Sequence, residues 1–394
     1  MTHAVPAIPP LVDIGPSLDA AQRTRYARHL LMPMIGEEGQ RRLLNARVAV
    51  VGAGGLGSPA LLYLSAAGVG RVTVIDDDSV DLTNLQRQVI HDASDVGLAK
   101  VDSAVARVRE LNPDCRITGM RARLTAETAR DLLAGHDLVL DGSDNFPTRY
   151  VVNDVCAELG LPFIWAAVYR TQAQVALFWK EPTVPGVTGV DLRDLFPIPP
   201  DPTDAPACGD AGVLGPLVGQ VGSLMATEAL KLLTGTGESL LGRVLYLDSL
   251  TFTTALIPLR PRSAEPPART RSRSVPLPMI GPRELAAWLG LPGTNGAVPP
   301  ERPTPFVLDV REPQEVAMGR VPGAHPRPLG DLQDDPTSHE DLPRDRDIVI
   351  YCKAGPRAVA AATALRDRGL TNLYLLDGGI LGWIDQIDPT IPRY

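Results

Sequence analysis

One segment, Arg47-Val48-Ala49-Val50-Val51 leading into Gly52-Ala53-Gly54-Gly55-Leu56-Gly57, limits this chain to few folds. The unbroken apolar run reads as a buried parallel strand, because a sheet covered on both faces leaves no polar alternation. The Gly-x-Gly-x-x-Gly loop leads into a helical pattern over Ser58–Gly68. A second strand, Arg71–Ile75, then ends in Asp76-Asp77-Asp78. That is a βαβ unit whose glycines let backbone N–H groups approach a phosphate, with Asp76 placed for a ribose hydroxyl. The loop alone fits NAD, FAD or ATP, and an NAD dehydrogenase is its default reading.

Further alternation supports a doubly wound, mainly parallel α/β sheet. Helical stretches at 22–47, 98–111 and 126–134 accompany strands at 115–122 and 137–140, the last ending at Asp141. The segments 163–170, 172–180, 243–248 and 252–258 alternate like antiparallel strands, an extension interrupted by a helix near 214–233. Residues 261–275 are rich in Pro, Arg and Ser without periodicity and read as a linker. Strands at 306–310, 347–351 and 373–376 then mark a smaller α/β domain. The expected organisation is a disordered leader over 1–19, a first domain over 20–260, the linker, and a second domain over 276–394.

A net charge of −8 argues against nucleic acid as a partner, since phosphate contacts need a basic face. No apolar run reaches membrane-spanning length, and the first sixteen residues lack the pattern of a secretion signal. The four cysteines (Cys115, Cys156, Cys208 and Cys352) form no C-x-x-C pair. This points to a reducing cytoplasm, without a disulfide framework or a cysteine zinc site.

The residues beyond Asp76 turn the reading away from NAD. Thr83-Asn84-Leu85-Gln86-Arg87-Gln88 brings an arginine and amides to the loop, and Gly97-Leu98-Ala99-Lys100 adds an ammonium. Two cations suit a triphosphate attacked at its α-phosphorus, whereas hydride transfer needs no such pair. Asp144, in Asp141-Gly142-Ser143-Asp144-Asn145, offers a carboxylate for Mg²⁺. In the second domain, Cys352-Lys353-Ala354-Gly355-Pro356-Arg357 comes directly after a buried strand. Loop N–H groups, a helix starting at Pro356 and Arg357 would stabilise an anion there and favour a thiolate nucleophile at an exposed strand end.

Residues 20–260 resemble the MoeB/ThiF family, bacterial relatives of ubiquitin-activating enzymes. The motifs that carry the resemblance are Arg25-Tyr26-x-Arg28, GAGGLGS, Asp76-x-Asp78, NLQRQ, GLAK, DGSDN and Cys208-Gly209-Asp210-Ala211-Gly212-Val213-Leu214-Gly215-Pro216. The resemblance implies ATP-dependent adenylation of the C-terminal glycine of a ubiquitin-like sulfur carrier ending in Gly-Gly. Gly55, Asp76, Thr83, Asn84, Leu85, Gln86, Arg87, Lys100, Asp144 and Asn145 would bind MgATP. Arg28 would reach the partner's site in a homodimer, and Cys208 would attack the activated carrier. One departure concerns the family's structural zinc: no cysteine stands at 181–185 or 260–263, so no zinc is expected and the loop is expected to be held by packing.

Residues 276–394 resemble a rhodanese domain, through Leu308-Asp309-Val310-Arg311-Glu312-Pro313, Gly319-Arg320-Val321-Pro322-Gly323-Ala324-His325, CKAGPR and Asp377-Gly378-Gly379-x-x-x-Trp383. The resemblance implies a persulfide on Cys352, loaded by a cysteine desulfurase or thiosulfate and stabilised by Arg357. Four residues separate Cys352 from Arg357 where a phosphatase loop has five, which favours sulfur over phosphate. Asp309 and Arg311 are expected to pair structurally, Trp383 to lie in the core, and His325 to be a loop residue. The expected reaction is adenylation and then sulfur transfer to give a thiocarboxylate. Its alternatives are a thioester-forming activator with a regulatory second domain, a thiosulfate sulfurtransferase whose first domain only binds nucleotide, and an NAD oxidoreductase.

Overall fold

The computed structural model describes residues 8–197, 212–262, 277–291, 303–334 and 337–393. It divides into two compact units, here residues 8–262 and 277–393. In the first, β1 (Arg47–Val51), β2 (Arg71–Ile75), β3 (Arg116–Met120), β4 (Leu138–Asp141), β5 (Phe163–Tyr169), β6 (Gln172–Phe178), β7 (Arg243–Asp248) and β8 (Thr253–Pro258) form an eight-stranded sheet in the order β3-β2-β1-β4-β5-β6-β7-β8. Neighbours from β3 to β5 are parallel, and from β5 to β8 antiparallel. The expected mainly parallel sheet with an antiparallel extension is therefore present.

Strand order reverses beside β1, the position at which open α/β sheets bind ligands. Register makes this concrete: Val51 pairs with Ile75 on one side and with Asp141 on the other. The loops that begin at Gly52, Asp76 and Gly142 therefore leave the sheet along one edge.

The helix Phe146–Leu159 escaped the pattern reading, although its end signals were present. Asn145 caps it through a bond from the Thr148 N–H at 3.0 Å, Pro147 lies in its first turn, and Gly160 ends it at φ +69°. The expected leader also needs correction, because residues 8–19 are built into the first unit. Ile8, Val12 and Leu18 are buried, and the Leu11 N–H donates to the Leu232 carbonyl at 3.1 Å. Arg41 binds the Gly15 carbonyl, Arg42 that of Val12, and Asn45 that of Asp13. These side chains satisfy the carbonyls of a segment that has no secondary structure of its own.

Where the resemblance would place zinc ligands, Trp179 and Val190 exchange backbone hydrogen bonds at 2.9 and 3.1 Å. Lys180 pairs with Asp191 at 3.5 Å, and Asp194 accepts the Arg262 N–H at 2.7 Å. Residues 261 and 262 of the expected linker thus belong to the first unit, and 263–275 lie outside the described residues. The loop is held by hydrogen bonds and an ion pair as well as by packing.

The second unit carries β9 (Met279–Ile280), β10 (Phe306–Asp309), β11 (His325–Pro326), β12 (Ile348–Tyr351) and β13 (Leu373–Leu376) in the parallel order β11-β10-β12-β13-β9. Every residue of β12 is buried, as its Ile-Val-Ile-Tyr run predicts. Trp383 lies in the core, and exposed His325 stacks on Phe306 at 4.2 Å. Among the described residues no helix is long and apolar enough to cross a membrane.

Candidate active sites

The glycine loop is shaped by contacts that leave no room for a side chain at Gly55 or Gly57. Gly52 has φ +90°, and a Cβ on Gly57 would lie 1.9 Å from the Gly52 carbonyl oxygen. Above this turn opens a cleft whose walls include Gly54, Gly55, Asp76, Arg87, Lys100, Asp144 and Asn145. The structure thus brings together most of the residues singled out from sequence.

Asp76 accepts the Ala53 N–H at 2.8 Å on one oxygen and the Asp78 N–H at 2.8 Å on the other. Its carboxylate ties β2 to the glycine loop. Lys100 opens the helix Lys100–Leu111 and bonds Asp78 at 2.8 Å, its own side chain nearly buried. Among the described residues, no hydrogen bond uses the N–H of Gly54 or of Gly55. Two unused backbone donors, beside Arg87 and Lys100, make an anion cradle that fits a polyphosphate.

Thr83, Asn84, Leu85 and Gln86 do not line the cleft. They form the turn that aims Arg87 and Gln88 at it. Asp81 and Asn84 cap the turn reciprocally, and Thr83 accepts Arg87 Nη1 at 3.0 Å on its carbonyl. Gln86 braces the start of the helix Gly215–Thr234, since a Cβ on Gly215 would lie 2.4 Å from its carbonyl oxygen. Arg28 is exposed on the short helix Ala27–Leu30, outside its own chain's cleft. Cys208 lies outside the described residues.

The fourth-strand end divides its work. Asn145 spends its side-chain oxygen on the helix cap, while Asp144 stands exposed at the cleft and offers the carboxylate oxygens that Mg²⁺ prefers. Asp141 is wholly buried: one oxygen accepts the Ser143 N–H at 3.0 Å and the other has no partner. Burial pushes its carboxyl up from the usual range, and Arg149 opposes that shift. The buried Arg149 guanidinium lies 4.9 Å from the Phe146 ring centroid and donates to the Ser143 carbonyl at 3.1 Å.

Sequence reasoning assigned no role to Arg149 or to Gln88, a cleft-lining residue whose buried amide oxygen has no partner. Gln88 was legible as the last letter of NLQRQ. Arg149, one turn into an unforeseen helix, was not.

In the second unit, Cys352 succeeds β12 and its sulfur accepts the Gly355 N–H at 3.1 Å. Gly355 sits at φ +131°, a conformation L side chains rarely adopt, and caps the helix Pro356–Asp367. The carbonyls of Cys352 and Lys353 accept the N–H groups of Ile380 and Leu381 at 2.9 and 3.2 Å. Two sequence expectations change here. Cys352 is 1% exposed rather than at an open strand end, because it belongs to a buried apolar cluster that includes Ile350, Ala358, Ala361 and Leu375. Arg357 is engaged by an acid: its terminal nitrogens bind Glu315 at 2.6 and 2.8 Å.

Asp309 and Arg311 pair as expected, at 2.6 and 2.9 Å and fully buried. Tyr351 donates to the same carboxylate at 2.6 Å; burial and that negative charge push its phenol well above the usual range. These groups hold the β10 and β12 ends together.

The fold and the cleft define the class of nucleotide-dependent activating enzymes, here with a sulfur-handling second unit. The chain matches the ThiF family over residues 26–268 and the rhodanese-like domain over 297–386. It belongs to the ThiF family and carries a rhodanese-like domain. A Mycobacterium tuberculosis protein described as the probable adenylyltransferase/sulfurtransferase MoeZ is 40% identical, over 98% of this chain and 99% of its own. The Haloferax volcanii SAMP-activating enzyme E1 is 49% identical over 62% of this chain and 88% of its own. The Thermus thermophilus sulfur carrier protein adenylyltransferase is 51% identical over 57% and 83%. Among solved structures, Escherichia coli MccB with ATP superposes with a TM-score of 0.53 at 22% identity, covering 61% of this chain and 73% of that one. That likeness concerns the fold.

Proposed function

We propose that the cleft binds MgATP and adenylates the C-terminal glycine of a ubiquitin-like sulfur carrier, and that Cys352 then delivers sulfur to it. The observation that carries this is the convergence of Arg87, Lys100 and Asp144 on a glycine loop with two unused N–H donors. A carrier carboxylate attacks the α-phosphorus and pyrophosphate leaves. Lys100, Arg87 and the loop N–H groups take up the charge that develops there. Mg²⁺, held by Asp144 through the nucleotide, would neutralise the phosphates.

A Cys352 persulfide then attacks the acyl-adenylate carbonyl, displacing AMP and leaving an acyl disulfide. The thiol of Cys208, or another thiol, attacks the Cys352 sulfur and releases the thiocarboxylate. The resulting disulfide is reset by a dithiol reductant. Sulfur on Cys352 comes from a cysteine desulfurase or thiosulfate. Gly355 N–H and the helix that starts at Pro356 favour the anionic sulfur.

The chain acts as a homodimer in the cytoplasm, with Arg28 serving the partner's cleft. The exposed apolar Leu31, Met32 and Met34 near Arg28 support this reading, because solvent-facing apolar clusters mark interfaces. Molybdenum cofactor synthesis is one of the pathways that such a carrier would serve, beside thiamine synthesis, cysteine synthesis and tRNA thiolation. The test is a mass spectrum of each Gly-Gly-ended carrier of the same genome after incubation with enzyme, MgATP and a sulfur donor. A gain matching one oxygen replaced by sulfur supports the reading, and ATP–pyrophosphate exchange that ignores the carrier overturns it.

A further inference from the structure

His91 is buried beneath the glycine loop and bonded on both ring nitrogens. Nε2 lies 2.9 Å from the Ala53 carbonyl oxygen and Nδ1 2.7 Å from Ser103 Oγ, which in turn lies 2.7 Å from an Asp95 oxygen. A carbonyl only accepts, so Nε2 carries a hydrogen. Ser103 then has one hydroxyl hydrogen facing two acceptors, Nδ1 and Asp95. A neutral ring leaves one of these contacts without a proton, whereas an imidazolium satisfies all three: Nε2–H to Ala53, Nδ1–H to Ser103, and Ser103 O–H to Asp95.

The charged groups facing the ring are Lys100, Asp95 and Asp76. Burial is the largest influence and lowers the ring's proton affinity; Lys100 lowers it further, while Asp95, Asp76 and the Ala53 carbonyl raise it. The balance favours the neutral ring, and hence the incomplete relay, when the cleft holds no anion. The Ala53 carbonyl and the Gly54 N–H belong to one peptide unit, and that N–H has no acceptor among the described residues. An anion taken by Gly54 therefore stands one peptide unit away from the imidazole.

We propose that His91 takes up a proton from solvent when a polyphosphate binds the glycine loop, closing the His91–Ser103–Asp95 relay and fixing the Ala53–Gly54 peptide against the anion. The proposal rests on the reading of the cleft as a nucleotide site. His91 is a positioning residue, since it meets the loop and not the reacting atoms. Charge at the Ala53 carbonyl polarises the shared peptide and makes the Gly54 N–H a stronger donor. By linkage, the polyphosphate then binds more tightly as pH falls through the range in which the bound ring is protonated and the free ring is not.

Calorimetric titration of the full chain with MgATP near pH 7, in buffers of different ionisation enthalpy, tests this. The expected result is uptake of up to about one proton per site. In His91→Gln, whose amide can still donate to Ala53 but cannot titrate, that uptake is lost, and subtracting its trace removes protonation of the nucleotide itself. Over one pH unit, wild-type affinity changes by up to about tenfold while the variant stays level. Ser103→Ala, which disconnects the ring from Asp95, lowers the uptake and carries the test if His91→Gln does not fold. Equal proton counts in wild type and folded variants overturn the proposal and leave the nucleotide cleft standing. A wild type that binds no MgATP overturns the cleft reading, and the proposal with it.

Discussion

Arg357 and Glu315 form a two-pronged ion pair, at 2.6 and 2.8 Å, between the first turn of the helix after Cys352 and the short helix Pro313–Ala317. Their side chains are 9% and 12% exposed. The arginine expected to hold an anionic sulfur is therefore first of all an anchor for the loop that carries the cysteine. Glu315 also accepts Arg311 Nη1 on its backbone carbonyl at 3.3 Å, so Arg311 and Arg357 meet at one residue.

Glu315→Gln is expected to destabilise the second unit by roughly 3–5 kcal/mol, because it strands a nearly buried guanidinium. Burial alone would raise the Glu315 carboxyl, but the hydrogen bond and charge of Arg357 outweigh it and hold the group below the usual range. The unfolded chain then binds the proton more readily, so this contribution is present above the ordinary glutamate range and is lost as pH falls through the depressed value. Urea titrations of wild type and variant at neutral and acid pH check this, with the gap between them narrowing in acid. A gap that widened in acid would contradict the assignment.

Cys352→Ser should abolish thiocarboxylate formation and leave ATP–pyrophosphate exchange at the wild-type rate, because the two chemistries belong to different units. If the serine variant still thiolates the carrier fully, measured by mass, the thioester-forming alternative with a regulatory second unit is correct.

Lys100→Ala should slow carrier adenylation by about 10²–10³-fold, the cost of losing one preorganised charge at a developing anion. Its pairing with Asp78 joins a nearly buried ammonium stem, 8% exposed, to a carboxylate that is 66% exposed, so the truncation also removes packing and the melting temperature should fall by a few degrees without loss of the fold. Exchange kinetics and a melting curve together separate this outcome from a folding defect.

Three of the four loop glycines, Gly54, Gly55 and Gly57, should respond differently to alanine. At Gly54 the nearest atom to a new Cβ is Gln88 Nε2 at 3.7 Å, an ordinary contact, so Gly54→Ala folds normally but places a methyl group in the cleft; misplacing the reacting groups there costs on the order of 10²-fold in adenylation. At Gly55 the Cβ would meet Val218 Cγ1 at 2.6 Å, and at Gly57 the Gly52 carbonyl oxygen at 1.9 Å. Both substitutions should lower stability by about 1–3 kcal/mol or more, with Gly57→Ala the worse, since backbone cannot move aside. Thermal unfolding of the three variants ranks them.

Most of this molecule was legible wherever a local rule suffices. The apolar runs of β1, β4 and β12, the turn glycines and the acidic end of β2 specify buried parallel strands with loops leaving one edge, and so place Gly55, Asp76, Arg87, Lys100 and Asp144 around one cleft. Asn145-x-Pro147 and Gly160 would have revealed the unforeseen helix. Residues 8–19 looked like a disordered leader because Ile8, Val12 and Leu18 keep to no period. Only the side chains of Arg41, Arg42 and Asn45, far away in sequence, give that segment's carbonyls their partners.

Residue order alone dictates the two-unit α/β architecture, the glycine-loop cleft and a cysteine at the head of a cradle loop, because each arises from periodicity, glycine geometry or residue type over short spans. Packing in three dimensions settles that Arg357 turns to Glu315, that the Cys352 sulfur is covered, that Thr83–Gln86 are scaffold rather than lining, and that His91 reaches both Ala53 and Ser103. Those outcomes depend on distances between residues a dozen or more positions apart, as for His91 with Ser103 and Ala53 and Arg357 with Glu315, and a polar group's partner in a buried site is whichever group the packing delivers within hydrogen-bond reach.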